Sequence, residues 1–158
     1  MVRSLKHIAL ISLMFCAMAM SFTSCNDNCM GNSSGIPLAA FYTGEKAASV
    51  ANITIYGIGA PNDSAIVRNA TVGQVYLPLR ITDTACQYVL DYNSDDVLND
   101  TITFNYDIIP YFESRECGAM YNFNIKEWSY TQHSIDSIAI PVPLITNSDV
   151  VTVKIFMQ

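Results

Sequence analysis

Positive charge is scarce in this sequence. Its 158 residues include eight Lys and Arg against fourteen Asp and Glu, which gives a formal net charge of −6. An acidic, lysine-poor surface repels the phosphate backbone of nucleic acids, so the composition argues against a nucleic-acid partner. It also provides no basic patch that could hold the protein on an anionic membrane surface.

The sequence also lacks the residues that most enzyme and metal sites require. It contains two histidines, and only His133 lies beyond the first 24 residues. It has no Gly-x-Ser-x-Gly nucleophile motif, no Cys-x-x-Cys pair for zinc and no Gly-rich phosphate loop. We therefore predict a protein that is not an enzyme and needs no metal or cofactor, with His133 as a surface turn residue.

Acidic residues supply the enzymatic alternative. Asp95, Asp96, Glu113 and Glu116 could meet in space as the carboxylate site of a glycosidase-like envelope hydrolase. A concave pocket with two carboxyl groups at hydrolytic separation would favour that alternative. The stretch Asp91–Asp95 begins like a calcium-binding loop, but the required glycine and closing glutamate are missing further on, so we interpret it as a solvated loop.

The first 24 residues have the build of a bacterial export signal. Arg3 and Lys6 precede an apolar stretch, residues 8–20, which is too short to span a bilayer and gives way to small polar residues. Cys25 follows at once, and in this position it resembles the lipidated first residue of a bacterial lipoprotein. We expect residues 1–24 to be a lipoprotein signal peptide and Cys25 to carry the lipid. An ordinary secretory signal with an incidental cysteine is the alternative.

Beyond the signal, the chain divides into a short tether and one domain. Residues 25–35 are rich in Asn, Ser and Gly and have little apolar content, which is typical of a flexible linker. Residues 36–158 carry strand-like apolar alternation about every ten residues, and no window shows a sustained helical period. This pattern predicts an all-β fold, an antiparallel immunoglobulin-like β-sandwich of about 7–9 strands, with a closed β-barrel as the alternative.

Two strand candidates illustrate the pattern. Residues 101–112 form the longest alternating run, while Pro78 marks an edge or a bulge within residues 74–81. We expect Trp128 and most tyrosines to pack between the sheets. A sugar- or peptide-binding platform is the alternative role for these rings.

Three cysteines remain in the exported chain besides Cys25. Thiols outside the inner membrane tend to pair. We favour a Cys29–Cys117 disulfide, because both residues lie in polar stretches where a bare thiol has no packing role. Cys86 begins a strand-like run, where cysteine acts as a small buried apolar residue. Two buried thiols and one exposed thiol are the alternative.

Four triplets read Asp, then Ser or Thr, then an apolar residue, where composition predicts about one. They begin at Asp63, Asp83, Asp100 and Asp136. The triplet resembles the acceptor site for O-linked glycans on exported proteins of Bacteroidetes. The acceptors would be Ser64, Thr84, Thr101 and Ser137. Strand starts also favour Asp followed by Ser or Thr, so both interpretations stay open.

Five short segments, taken together, resemble a family of small lipoproteins from Bacteroidetes envelopes that carry a domain of unknown function. They are Cys25–Cys29, Ile55–Gly59, Tyr76–Leu79, Ser114–Gly118 and Val153–Phe156. The resemblance implies a lipid-anchored β-domain, supports the Cys29–Cys117 pairing and implies no reaction. We expect a binding or accessory module on the envelope, in the outer membrane, whose partners are the membrane and an envelope protein or glycan.

Overall fold

Alternation of buried and exposed side chains makes most of this chain into strands. The computed structural model describes residues 34–61, 64–94, 97–112 and 118–158. Within Asp100–Phe112, buried Ile102, Phe104 and Tyr106 alternate with more exposed polar residues. Such a period of two places one face of a strand in the core and the other in solvent.

Eleven strands lie within the described residues. They are β1 (Leu38–Thr43), β2 (Lys46–Ala47), β3 (Val50–Gly57), β4 (Ala65–Val72), β5 (Gln74–Tyr76), β6 (Ala85–Asp91), β7 (Asp100–Phe112), β8 (Ala119–Tyr130), β9 (Ile135–Ala139), β10 (Leu144–Ile145) and β11 (Val151–Met157). In this part of the chain, no helix is long and apolar enough to cross a membrane.

The strands form two sheets. One has the order β2-β1-β11-β9, with β5 also paired to β1, and the other has the order β10-β8-β7-β6-β3-β4. Side chains from both sheets pack into a common core, so the predicted all-β sandwich is confirmed. The larger buried members are Phe41, Ile53, Ile55, Leu77, Tyr88, Leu90, Ile102, Phe104, Phe123, Ile135, Ile145 and Ile155. Burial of each such side chain contributes about 1.5–3 kcal/mol.

Two details differ from the sequence-based expectation. The strands β1 and β11 pair in parallel, with Phe41 opposite Ile155, whereas the other pairs are antiparallel. This pairing joins the two ends of the domain, and no local pattern encodes such a contact. The strand count exceeds the expected range because β2 and β10 have two residues each, too few for any visible period.

The segment after β5 is held by hydrogen bonds with tyrosine side chains and not by pairing with a neighbouring strand. The predicted run 74–81 stops being a strand at Tyr76, because Pro78 has no N–H to donate. Instead, the Tyr88 hydroxyl donates to the Pro78 carbonyl oxygen, and the Arg80 N–H donates to the Tyr106 hydroxyl at 3.0 Å. Core tyrosines thus fasten this segment over the sandwich.

Ser34 and Gly35 lie against the body of the domain. The Gly35 N–H donates to the Tyr121 carbonyl oxygen at 2.7 Å, and the Tyr121 N–H donates to Ser34 Oγ at 3.0 Å. A Cβ on Gly35 would come within 2.6 Å of the Ile145 carbonyl oxygen. The last two residues of the predicted tether therefore contact β8 and β10.

A buried carboxylate fastens the crossing between the two sheets. Within the described residues, Asp100 is the one charged side chain that is buried, at 0% exposure. It opens β7 and accepts three backbone N–H bonds from the segment that leaves β8 and enters β9. Its Oδ1 accepts from His133 at 2.9 Å, and its Oδ2 accepts from Ser134 at 2.9 Å and from Ile135 at 3.0 Å.

Two hydroxyl groups complete the shell around Asp100. Thr131 Oγ1 donates to Oδ1 at 2.7 Å, and the Tyr92 hydroxyl donates to Oδ2 at 2.9 Å. Burial by itself would raise the pKa of Asp100, but the hydrogen bonds from His133, Thr131, Ser134 and Tyr92 outweigh it and lower the pKa below its ordinary value. Burial and the Asp100 charge raise the pKa of Tyr92. Asp100 is therefore an ionised, fully hydrogen-bonded anchor.

Side chains also cover the outer edge of β9. The Trp128 indole N–H donates to the Ile138 carbonyl oxygen at 3.2 Å, which links the two sheets. Gln132 Nε2 donates to the Asp136 carbonyl oxygen at 3.1 Å. Because β9 is the last strand of its sheet, these bonds occupy carbonyl acceptors on an edge strand, where free acceptors could pair with the strand of another chain. Trp128 is 39% exposed and covers a sheet edge, whereas we expected it between the sheets.

We predict that Asp100→Asn lowers the free energy of unfolding at pH 7 by about 3 kcal/mol, because an amide NH₂ would face donors that need an acceptor. The lowered pKa means that ionised Asp100 stabilises the fold above about pH 4, the unfolded value, and that this stabilisation is lost as the pH falls through the folded pKa. Urea unfolding at pH 7 and in acid measures both effects.

The matched control is Asp107→Asn. Asp107 is exposed and forms a 2.7 Å ion pair with Lys126, so its loss should change the free energy of unfolding by about 0.5 kcal/mol or less. If Asp100→Asn were as stable as the wild type at pH 7, or if its deficit grew in acid, the anchoring role of Asp100 would be wrong.

Candidate functional site

A groove opens on the outer face of the six-stranded sheet, where β6, β3 and β4 lie side by side. Its volume is about 550 Å³, against about 380 Å³ for a second cleft beside it. The larger cleft, called the Tyr56 groove below, is lined mainly by Thr54, Tyr56, Arg68, Asn69, Asp91 and Asn93. Its volume lies within the range of small-ligand sites.

Strand register sets the arrangement of these side chains. Thr54 in β3 lies opposite Asp91 in β6, and the Asn69 N–H of β4 donates to Thr54 Oγ1 at 3.0 Å. Arg68 precedes Asn69 on β4, so a cation and a carboxylate flank β3 from opposite sides. Two strand spacings separate their backbones, which is roughly 10 Å.

Arg68 and Asp91, the two charged residues of the groove, do not form an ion pair with each other. Arg68 is exposed and Asp91 is half-buried. Among the described residues, Lys126 and Asp107 form the ion pair that the structure contains, and neither Arg68 nor Asp91 takes part in one. The groove therefore carries one charge of each sign, on opposite sides of β3.

Asn93 holds the rim of the groove. Its side-chain NH₂ donates to the Asn52 carbonyl oxygen at 2.6 Å and to Thr54 Oγ1 at 3.0 Å, while its backbone N–H donates to Asp91 Oδ1 at 2.8 Å. Asn93 has a φ of 50°, and Asn52 and Asn69 have φ values of 54° and 43°. Asparagine accepts this left-handed region more readily than most residues.

The turn after β3 forms the end of the groove. Gly59 has a φ of 73°, and a Cβ there would lie 3.1 Å from Arg80 Nη2. The Arg80 guanidinium donates to the Ile58 carbonyl oxygen. The Tyr106 hydroxyl in turn donates to the Arg80 carbonyl oxygen at 2.9 Å, which ties this turn to the core.

The second cleft lies on the other side of the same turn and is more apolar. Its lining includes Leu79, Cys86 and Tyr88. Cys86 is a buried free thiol, as expected, with its Sγ 3.4 Å from the Tyr88 hydroxyl oxygen. Burial, together with the neighbouring thiol, raises the pKa of Tyr88, so its phenol stays neutral.

The family of the chain follows from its sequence. Residues 52–157 match the family of unknown function DUF6452. This chain belongs to the DUF6452 family. No curated protein and no solved structure matches it significantly.

The DUF6452 match contains the whole groove and its supports. Thr54, Tyr56, Arg68, Asp91 and Asn93 all lie within residues 52–157. Asp100 and the crossing that it fastens also fall within this range.

The structure does not describe the residues predicted for attachment and for hydrolysis. Cys25, Cys29 and Cys117 fall outside the described residues, as do Asp95, Asp96, Glu113 and Glu116. Among the described residues that line the Tyr56 groove, Asp91 is the one carboxylate. In the described ranges, no three His, Cys, Asp or Glu side chains converge as a metal site.

The proposed glycan acceptors divide into two kinds. Ser64 and Thr84 are exposed outside the strands, whereas Thr101 lies in β7 and Ser137 in β9, and both are half-buried. The aspartate before Thr101 is the buried anchor Asp100. His133, expected in a surface turn, is exposed and contributes its backbone N–H to Asp100.

Sequence reasoning did not single out the residues of the Tyr56 groove. Tyr56 belongs to the short segment Ile55–Gly59, and Arg68 is one of the few cations of the domain. Asp91 and Asn93 belong to the stretch that we interpreted as a solvated loop. Alternation showed that Thr54 and Tyr56 share a face of one strand, but pairing with β4 and β6 was needed to bring the others to them.

We predict that Asn93→Ala destabilises the protein more than Asn93→Gly. Both variants lose the side-chain bonds to Asn52 and Thr54, but only alanine also meets the steric penalty of a positive φ, about 1 kcal/mol. Urea unfolding of the two variants checks this order. Equal stability would show that the backbone at Asn93 relaxes out of the left-handed region.

Proposed function

We propose that this DUF6452 protein is a lipid-anchored, non-enzymatic binding module of the bacterial cell envelope, in the outer membrane of Bacteroidetes. The observation that carries the proposal is Cys25, which stands directly after a charged, then apolar, then small-residue leader. An acyl anchor suits a chain without a basic patch, because more than one acyl chain suffices for stable attachment.

The distance from the anchor to the domain supports this arrangement. Ser34, where contacts with β8 begin, lies nine positions after Cys25. Nine extended residues reach at most about 30 Å, so the domain would stay close to the membrane surface. A Cys29–Cys117 disulfide is part of the proposal and would shorten this reach further.

The binding role draws its support from the Tyr56 groove. A cation, a carboxylate and an aromatic ring line one open cleft, and hydrogen bonds from Asn93 and Arg80 hold its rim and one end. The described part of the groove offers one carboxylate, whereas hydrolysis of a glycosidic bond uses two. A role in binding therefore accounts for this site better than a role in hydrolysis.

We predict that Cys25→Ala releases the protein from the membrane fraction when it is made in its native host. Without the thiol, no acyl chain can be attached, and the acidic surface gives no electrostatic substitute. Fractionation of envelopes and detergent-phase partitioning measure the change. Cys29→Ala is the control and should stay in the membrane fraction. Sedimentation of Cys25→Ala with membranes would refute the anchor.

We also predict that Ser64 and Thr84 carry O-linked glycans to a greater extent than Thr101 and Ser137 do. The first two are exposed in loops, where a transferase can reach them. The other two lie in paired strands, and Asp100 is buried beside Thr101. Intact mass of protein from its native host tests this order, with Ser64→Ala and Thr84→Ala each removing one glycan mass. An unmodified protein would leave strand initiation as the reason for the triplets.

A further inference from the structure

We propose that the Tyr56 groove binds a neutral saccharide, an inference that rests on the proposed binding role. The groove presents a hydrogen-bond donor array on Arg68, an acceptor on Asp91 and a half-buried ring on Tyr56. Sugar hydroxyl groups both donate and accept, so one ring can satisfy Asp91 and Arg68 together. The apolar C–H face of the same ring can pack on Tyr56.

Charge decides against an anionic ligand. Residues 25–158 carry six Lys and Arg against fourteen Asp and Glu, a formal charge of −8. Arg68 is the one cation among the described residues that line the groove, and Asp91 lies across β3 from it. A phosphate or carboxylate bound to Arg68 would meet the Asp91 charge at roughly 10 Å and the field of an acidic protein. A neutral ligand avoids both penalties.

Backbone geometry decides against an extended peptide. Peptides commonly bind by adding a strand to a regular sheet edge. Here β4 is the edge strand beside the groove, but its pairing with β3 shifts register at three places and Asn69 has a φ of 43°. An edge interrupted in this way cannot offer a continuous ladder of hydrogen bonds. The groove therefore offers a ligand contacts with side chains and not with a free strand edge.

Hydrogen bonds within the protein already hold the rim and one end of the groove without a ligand. Asn93 bonds to Asn52 and Thr54, and Arg80 fixes the turn that closes one end. A site held in this way loses little conformational entropy on binding. The arrangement suits a weakly contacting ligand such as a short oligosaccharide.

The test uses the purified full chain in a detergent without a sugar headgroup. Binding of cellotriose, mannotriose and chitotriose, with trigalacturonate as the anionic probe, is measured by saturation-transfer NMR and titration calorimetry. We expect at least one neutral probe to bind, with its ring protons in contact with an aromatic side chain. Tyr56→Ala, Arg68→Gln and Asp91→Asn should each weaken its affinity at least tenfold.

Asp107→Asn is the matched control, since it removes an exposed aspartate of β7 outside the groove, and it should bind within twofold of the wild type. Urea unfolding shows that each variant is folded, and Tyr56→Phe, which keeps the ring, should retain binding. Absence of binding across the neutral probes at millimolar concentration would overturn the saccharide assignment. So would a preference for trigalacturonate, or affinities that the groove variants leave unchanged.

The saccharide ligand and the lipid anchor can be refuted independently of each other. If no saccharide binds while membrane fractionation still depends on Cys25, only the ligand class is wrong. If Cys25→Ala still sediments with membranes, the lipid anchor fails whatever the saccharides do.

Discussion

One buried carboxylate holds the connection on which the sandwich depends. Asp100 starts β7, the central long strand, and accepts hydrogen bonds from the segment that carries the chain from one sheet to the other. A buried anion is tolerated only when its lone pairs are satisfied, and here five donors do so. The same contacts fix where β9 begins, and therefore where Trp128 and Gln132 meet its edge.

The two sides of the six-stranded sheet serve different purposes. Its inner face packs Ile53, Ile55 and Phe104 into the core, and tyrosine hydroxyls fasten the loops above it. Its outer face carries the Tyr56 groove, where polar groups remain open to solvent. The core side chains of β3 fix its backbone, and that backbone sets the positions of outward-facing residues such as Tyr56.

Local patterns predicted much of the fold and little of the site. Alternation located β3, β7, β8 and β11, because each has a buried face long enough to show a period. The parallel pairing of β1 with β11 left no local trace, since it joins residues more than a hundred positions apart. The Asp100-Thr101 pair shows a further limit: the triplet looked like a modification signal, while the aspartate in it is buried as an anchor.

The sequence by itself determined the class of the fold, the placement of Cys86 in the core and membership of the DUF6452 family, because periodicity, residue size and family resemblance are properties of the chain. Tertiary structure alone decided that Tyr56, Arg68 and Asp91 share one groove and that Asp100 is buried. These residues lie on different elements, and only strand pairing sets the distances between side chains that the chain order keeps apart.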